Sequence, residues 1–410
     1  MLADDFCSFV DASPSPFHVC ATAADRLVAA GFHELSETAE WPADGRYFVR
    51  RGGSLIAWTS IAEDPGAGFS VIGCHTDSPN LRVKPRHDIP GRGTGVLALE
   101  PYGGALVDTW LDRDLGISGR LVTYDGAEHL MAIHEPVARI PHLAIHLDRD
   151  NSKPDRQHHL NAIWSVDETE FLPWLAARAS LSADAIAGFD LMTHPVAPAG
   201  RFGADKDLIS APRLDNQVTC FAALHALLAP AASGRCMVAM FDHEEVGSTS
   251  ERGAQSEFLL TTIERVVLAN GGSREDVHRA VAASLCVSGD MAHATHPNYP
   301  EKHEPLHQIR MGGGPVLKIH PNLRYATDPR GTAAFAAACR DAGVPLQRYA
   351  HRADMPCGST IGPISAARTG ILTVDVGAPQ LAMHSAHEMM AADDIDAYTA
   401  ALTAFLAQPR

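Results

Sequence analysis

The chain is poor in basic charge, in cysteine motifs and in long apolar runs. Its eight cysteines, at positions 7, 20, 74, 220, 236, 286, 339 and 357, form no Cys-x-x-Cys pair and mostly lie in apolar stretches. That is the pattern of buried free thiols in a reducing compartment, not of a disulfide framework. No stretch approaches the roughly 20 apolar residues of a membrane helix. The opening MLADDFCSFVDASPSPFH has no basic segment followed by an apolar run, so a secretory leader and a membrane partner are not expected and a cytoplasmic location is. Lys and Arg number 33 against 49 Asp and Glu, a formal net charge of −16. Without a basic stripe, nucleic acid is excluded as a partner. An acidic ligand would need a local basic pocket to reverse the surrounding field. There is no G-x-S-x-G elbow, no H-E-x-x-H helix and no P-loop. MGGGP at 311–315 lacks the Rossmann spacing and is expected to be a turn.

What is present is length and histidine. A chain of 410 residues has room for two domains, and 22 histidines, several beside Asp or Glu, point towards metal. A helix is expected from Cys20 to Gly31, closed by the glycine, then strands at RYFVR (46–50), SLIAWTS and FSVIGC (69–74). FSVIGC is almost continuously apolar, as in a strand buried on both faces. From about Pro85 to Lys206 the chain is rich in Gly, Pro and His, with strand-like runs GVLALE, ALVDTW and GRLVTY and a polar loop or interface arm at 149–159. This stretch, 85–206, is expected to be an inserted β-rich domain. Residues 1–84 and 207–410 would form the other. After Lys206, helices at 218–228, 255–267, 333–340 and 393–406 alternate with strands at 236–241, 285–288, 345–349 and 371–376. Alternation of this kind predicts a doubly wound α/β sheet sandwich.

Five short segments place metal-capable side chains just after apolar strand-like runs: GCHTDSP (73–79), RLDN (213–216), FDHEEVGS (241–248), SGDMAHA (288–294) and MHSAHE (383–388). Ligands of open α/β sheets bind beyond the carboxyl ends of strands, so the five could converge. Each has a bland alternative. His75 with Asp77 could be a salt-bridged turn, although a carboxylate two residues on could also hold one imidazole nitrogen while the other binds metal. Asp215 could cap the helix that follows it, Asp290 could be a turn residue, and His384 a satisfied core histidine. Glu244 and Glu245 are harder to dismiss, because adjacent carboxylates after a buried strand repel unless a cation or a shared proton separates them. Together, two His and three carboxylates make the set a dinuclear hydrolytic site needs.

GCHTDSP with LRVK, IPHLAIHL, APRLDN, EEVGS with GAQS, DMAHATHPNYPEKHE, PCGSTIGP and APQLAMHS together resemble the aspartyl aminopeptidase family of metallopeptidases, in its bacterial form. The motifs run in order over nearly the whole chain. The resemblance implies a zinc-peptidase-like proteolytic α/β domain interrupted by a β-rich dimerisation domain, with dimers assembled into a dodecamer. It implies two divalent metal ions per subunit, most often zinc, with manganese or cobalt as alternatives. His75, Glu245, Asp290 and His384 would be metal ligands, Asp215 would bridge both ions, Glu244 would be the general acid/base, and Asp77 the partner of His75. It further implies a cis Asp215–Asn216 peptide, a His146 that reaches a neighbouring subunit's active site, and Lys318, Tyr325 and His293 as substrate-pocket residues. Two positions depart from the family pattern: His243 stands where Asn is common and Met355 where Thr is common.

The expected activity is hydrolysis of the first bond of peptides beginning with Asp or Glu, with Lys318 pairing the substrate's side-chain carboxylate and Glu244 handling the proton. Two alternatives stay open on sequence: an aminopeptidase for neutral residues or a related dinuclear deacylase on the same scaffold, and a self-assembling shell or cargo-binding particle with a vestigial site.

Overall fold

The strand Ser70–His75 explains the centre of the molecule. All six of its residues are buried. Alternate side chains of a strand point to opposite faces; here Ile72 and Cys74 enter one apolar cluster and Val71 another. Its parallel neighbour Cys236–Phe241 divides in the same way, Cys236, Val238 and Met240 against Met237, Ala239 and Phe241. Burial on both faces is what a parallel sheet covered by helices demands. The helices Leu2–Ala12, Pro16–Ala29, Leu214–Leu228, Pro329–Asp341 and Asp393–Leu406 cover one face. Phe258–Ala269, Arg274–Ala283 and Ile361–Thr369 cover the other.

The computed structural model describes residues 2–60, 64–150, 153–230 and 234–408. Among these the central sheet has nine strands, in the order His33–Glu34, Arg46–Arg51, Ser54–Thr59, Cys236–Phe241, Ser70–His75, Leu285–Gly289, Leu372–Gly377, Val316–Ile319 and Gln347–Ala350. The four from Cys236–Phe241 to Leu372–Gly377 are parallel, so their carboxyl ends lie side by side. The chain is thus the α/β sandwich expected from its alternation.

A second, six-stranded sheet is antiparallel and runs Glu128–Ala138, Leu115–Thr123, Ile186–Pro195, Asn80–Asp88, Gly95–Tyr102, Ala162–Ser165. The buried members of its apolar cluster come from Leu81 to Leu191, with Ala386 added. The strand Asn80–Asp88 crosses residue 84, so this sheet begins before the expected boundary at 85. A small third sheet runs Gly200–Phe202, Leu208–Ala211, Glu388–Ala391, Pro379–Leu381, Ala292–His293; Leu208–Ala211 ends just before Asp215, and Pro379–Leu381 and Glu388–Ala391 flank His384.

Several local expectations are revised. ALVDTW is not a strand: Val107–Trp110 is a short 3-10 helix, with the Thr109 hydroxyl donating to the Leu106 carbonyl at 2.6 Å and Trp110 packed into the second cluster. The strand expected from Pro345 starts at Gln347, since proline has no N–H for the ladder. Helices Leu2–Ala12, Phe171–Arg178, Arg274–Ala283 and Ile361–Thr369 were not foreseen. MGGGP is a turn, with the Gly312 and Gly314 amides donating to Asp394. Positions 151 and 152 of the polar stretch 149–159 lie outside the described residues.

The parallel strand ends are packed without slack: a Cβ on Gly377 would overlap the Asp290 backbone carbonyl. Gly377→Ala is expected to cost about 1–3 kcal/mol or more, the usual range for overpacking, read as a lowered midpoint in urea. Gly188→Ala, with nothing within 4 Å of the added carbon, is the neutral control. An unchanged midpoint for Gly377→Ala would refute the tight packing.

Candidate metal centre

The parallel ladder puts the polar segments side by side. His75 ends Ser70–His75 and is paired with Phe241, so Glu244 and Glu245 follow just beyond. Asp290 follows the strand Leu285–Gly289, its amide donating to the Val376 carbonyl at 2.9 Å. Asp215 comes from a different element. The helix Leu214–Leu228 starts after Arg213 in the left-handed region (φ 59°), and Asp215 itself is non-helical, at φ −83°, ψ 105°. The N-cap position of this helix is Arg213, not Asp215. The Asp215–Asn216 peptide is cis, Asn216 Nδ2 donates to the Gly289 carbonyl at 2.7 Å, and the Ser78 hydroxyl donates to the Asp215 carbonyl at 2.5 Å. His384, at φ 68°, sits in the turn between Pro379–Leu381 and Glu388–Ala391. Pairing of Glu388–Ala391 with Leu208–Ala211 brings that turn to the start of the Asp215 helix.

The five side chains expected to converge do so. Asp215 Oδ1 lies 3.3 Å from His75 Nε2 and Asp215 Oδ2 lies 3.4 Å from His384 Nε2. His75 Nε2 is 3.6 Å from Asp290 Oδ1, and His384 Nε2 is 3.5 Å from Glu245 Oε2. Zinc ligands held at ~2.0–2.1 Å in a tetrahedron stand about 3.3–3.4 Å apart along its edges; the observed spacings have that length. Donor atoms of His75, Asp215 and Asp290, and those of Asp215, Glu245 and His384, each fall within 4.8 Å of one another. The two groups share Asp215. Its Oδ1 is buried and makes no hydrogen bond.

The histidine tautomers agree. His75 Nδ1 is 3.0 Å from the Asp77 backbone carbonyl and His384 Nδ1 is 3.3 Å from the Gly104 carbonyl. Each Nδ1 is therefore the donor, leaving each Nε2 lone pair aimed at carboxylate oxygens. A lone pair facing a carboxylate is reconciled by a positive charge between them, a proton or a metal ion. The residues present thus fit a pair of divalent ions.

Titration behaviour says the same. Burial works against protonation of His75, but Asp215, Asp290 and Asp77 around it raise its pKa well above the usual imidazole range. His384, opposed by burial and helped by Asp215 and Glu245, is raised to about 10. Burial, with Asp290, Asp77 and Asp215 adding to it against His75, lifts Glu244 to about 8. Glu245 goes well above the carboxylate range, first by burial and then by Asp215 and Glu244. Against its burial, contacts with His384 and His75 hold Asp215 far below that range. The cluster is short of positive charge, and protons occupy places that cations would take.

The Asp77 carboxylate does more than face His75, whose Nδ1 is 3.5 Å from Asp77 Oδ1. It accepts the amides of Glu244 and Glu245, each at 3.1 Å, and the Tyr102 hydroxyl at 2.6 Å. The strand residue Tyr102 and the Gly104 carbonyl, neither singled out from sequence, tie the second sheet to the site. The buried Glu388, which accepts the His384 amide, ties in the small third sheet.

Beside the cluster opens a cleft of about 430 Å³, lined also by His293, Lys318 and Tyr325. Lys318 is 2% exposed. Its Nζ donates to the Met291 carbonyl at 3.1 Å, lies 3.4 Å from Asp290 Oδ2 and sits 5.2 Å from the centroid of the Tyr325 ring. His146 is not in this cleft. It lies on an exposed turn with Leu143, Ile145 and Leu147 also exposed.

Comparison with known proteins follows this geometry. Residues 9–406 match the family described as aminopeptidase I zinc metalloprotease (M18). The chain is 56% identical to a probable M18 family aminopeptidase 2 of Mycobacterium leprae, over 98% of each chain. Among solved structures it is similar to a chain of the cryo-EM structure of the Ape4 and Nbr1 complex, at TM-score 0.94 and 34% identity over 99% of this chain and 85% of that one. It is also similar to the S. cerevisiae mApe1 dodecamer, at TM-score 0.87 and 29% identity over 98% and 96%. Strand-end geometry, donor spacing and sequence agree, and the chain belongs to the M18 family of zinc metallo-aminopeptidases.

Proposed function

We propose that this aminopeptidase binds two divalent ions, zinc by preference, and cleaves the first bond of peptides that begin with Asp or Glu. In this reading His75 and Asp290 hold one ion, Glu245 and His384 the other, and Asp215 bridges them. The observation that carries it is the pair of donor groups sharing Asp215, with edge lengths of 3.3–3.6 Å.

Bound there, the ions would supply Lewis acidity and a water acidified from 15.7 towards ~7. Glu244, at the cleft edge, takes the proton of the attacking water and returns it to the leaving nitrogen. Asp77 holds Glu244 and Glu245 in place through their amides. His293 and Tyr325 shape the pocket for the first side chain. His146 would complete a neighbouring subunit's site and support the oxyanion there. Its exposed turn, with three exposed aliphatic neighbours, suits burial against a second copy. Residues 85–206 would then be the dimerisation domain inserted between 1–84 and 207–410, and the solved mApe1 dodecamer supports dimers assembling to that size. The eight cysteines are free thiols, which supports the proposal of a cytoplasmic enzyme; no helix among the described residues is long and apolar enough to cross a membrane.

Acid preference rests on Lys318. One observation favours a second reading, a preference for neutral residues: the ammonium is already engaged by Asp290 Oδ2 and the Met291 carbonyl. Turnover of Asp-, Glu-, Leu- and Lys-peptides decides between them. Lys318→Leu is expected to lower kcat/KM for Asp-peptides at least about tenfold more than for Ala-peptides, since a buried charge left unpaired is costly. Equal losses would leave Lys318 as a partner of Asp290 alone. Glu244→Gln should retain two zinc ions per chain, measured by elemental analysis, and lose about 10²–10⁴ in kcat; full turnover would put the base elsewhere. Mixing inactive His146→Ala and Glu244→Gln proteins under exchange conditions should restore turnover that neither has alone, and no recovery would confine His146 to its own subunit.

A further inference from the structure

MHSAHE ends on an acid that the chemistry above leaves unused. Glu388 opens the strand Glu388–Ala391 and is 2% exposed. Both of its oxygens are acceptors of main-chain donors: Oε2 takes the Asp215 amide at 3.0 Å and Oε1 the His384 amide at 2.7 Å. Gln380 Nε2 stands 3.5 Å from Oε1. Neither amide has a regular partner, because Asp215 is non-helical at the head of its helix and His384 is at positive φ in a turn. A buried N–H without an acceptor is rare and costly, and one carboxylate fork answers both.

The consequence is geometric. Asp215 and His384 present Oδ2 and Nε2 to each other at 3.4 Å, and donor positions need to be held to about 0.2 Å for a metal to bind well. Their backbones come from elements far apart in sequence, and Glu388 is the one group bonded to both amides. The arrangement repeats on the other side of the site, where Asp77 accepts the amides of Glu244 and Glu245. We infer that Glu388 is a positioning residue that sets the spacing of Asp215 and His384, and through it the affinity of the Asp215–Glu245–His384 group for its ion. This rests on the reading of those two residues as ligands.

Glu388→Gln keeps the size of the side chain but replaces one acceptor by an NH2 that can only donate, so one of the two amides would face another donor. Zinc affinity is measured by competition with a chromophoric chelator, alongside kcat and KM at limiting and saturating zinc and the melting temperature of the metal-free protein. The expected result is about 10–100-fold weaker zinc binding, the usual cost of losing a ligand's support. The loss of kcat should be largest at limiting zinc, KM should be unchanged, and Glu388→Asp should recover part of the affinity. Wild-type zinc affinity in Glu388→Gln, or a loss that only tracks a lower melting temperature of the metal-free protein, overturns the inference. If Glu388→Gln does not fold, Glu388→Asp is judged alone by the same criteria: weaker zinc binding at unchanged metal-free melting supports the inference, and wild-type affinity overturns it. His384→Ala separates the two levels: if it too binds zinc normally, the ligand assignment itself has failed; if it loses zinc while Glu388→Gln does not, only the role of Glu388 has.

Discussion

Asp215 offers its two oxygens to two imidazoles, one 3.3 Å away and the other 3.4 Å. Both imidazoles have spent their Nδ1 hydrogens on main-chain carbonyls, so in the neutral rings the contacts set lone pair against lone pair. The neighbourhood adds Asp77, Glu244, Glu245, Asp290 and Glu388, with the Lys318 ammonium beside Asp290 and the Arg213 guanidinium near Glu388. Without compensating cations such a concentration of acids would oppose folding of the very strand ends that carry it. The site is therefore an electrostatic deficit built into the centre of the fold, and cation binding is the natural way to close it.

The architecture supplies this cluster by economical means. Parallel strands bring His75, the Glu244–Glu245 pair and Asp290 to one edge simply by ending there. The two remaining groups, Asp215 and His384, do not come from the ends of central-sheet strands. They depend on the small sheet in which Leu208–Ala211 pairs with Glu388–Ala391. Two buried carboxylates, Asp77 and Glu388, then hold the approaching loops by their amides.

Much of this was legible because burial on both faces leaves a strong trace in sequence. FSVIGC and CMVAMF could only be interior strands, and the polar residues just after them had nowhere to be but the sheet's edge. The convergence of His75, Glu245 and Asp290 followed from that rule, whereas Asp215 and His384 reach the same point through the small sheet. The unforeseen parts have local causes. The helix Arg274–Ala283 is announced by a capping box between Ser273 and Asp276, an Asp where Glu or Gln is the usual signal. ALVDTW has the β-branched and aromatic content of a strand, but its aromatic is needed in the second core. Glu388 was not singled out from sequence, although its position ahead of the apolar MMAA run was the clue to burial. Lys318 was expected as a substrate-pocket cation, whereas its contact with Asp290 depends on a strand two positions away in the sheet.

The PYGG turn closes the strand Gly95–Tyr102 of the antiparallel sheet against the metal centre. A Cβ on Gly104 would stand 2.9 Å from His384 Nδ1, and one on Gly103 would be 3.0 Å from the Glu245 Cβ. Only a bare backbone can come so near, and its carbonyl is what orients His384. The seam between the two sheets and the ion-holding groups are thus one mechanical unit. Reciprocity of coupling makes the traffic two-way: a load applied to the antiparallel sheet is transmitted to His384, and an ion drawn against His384 stiffens the seam in return.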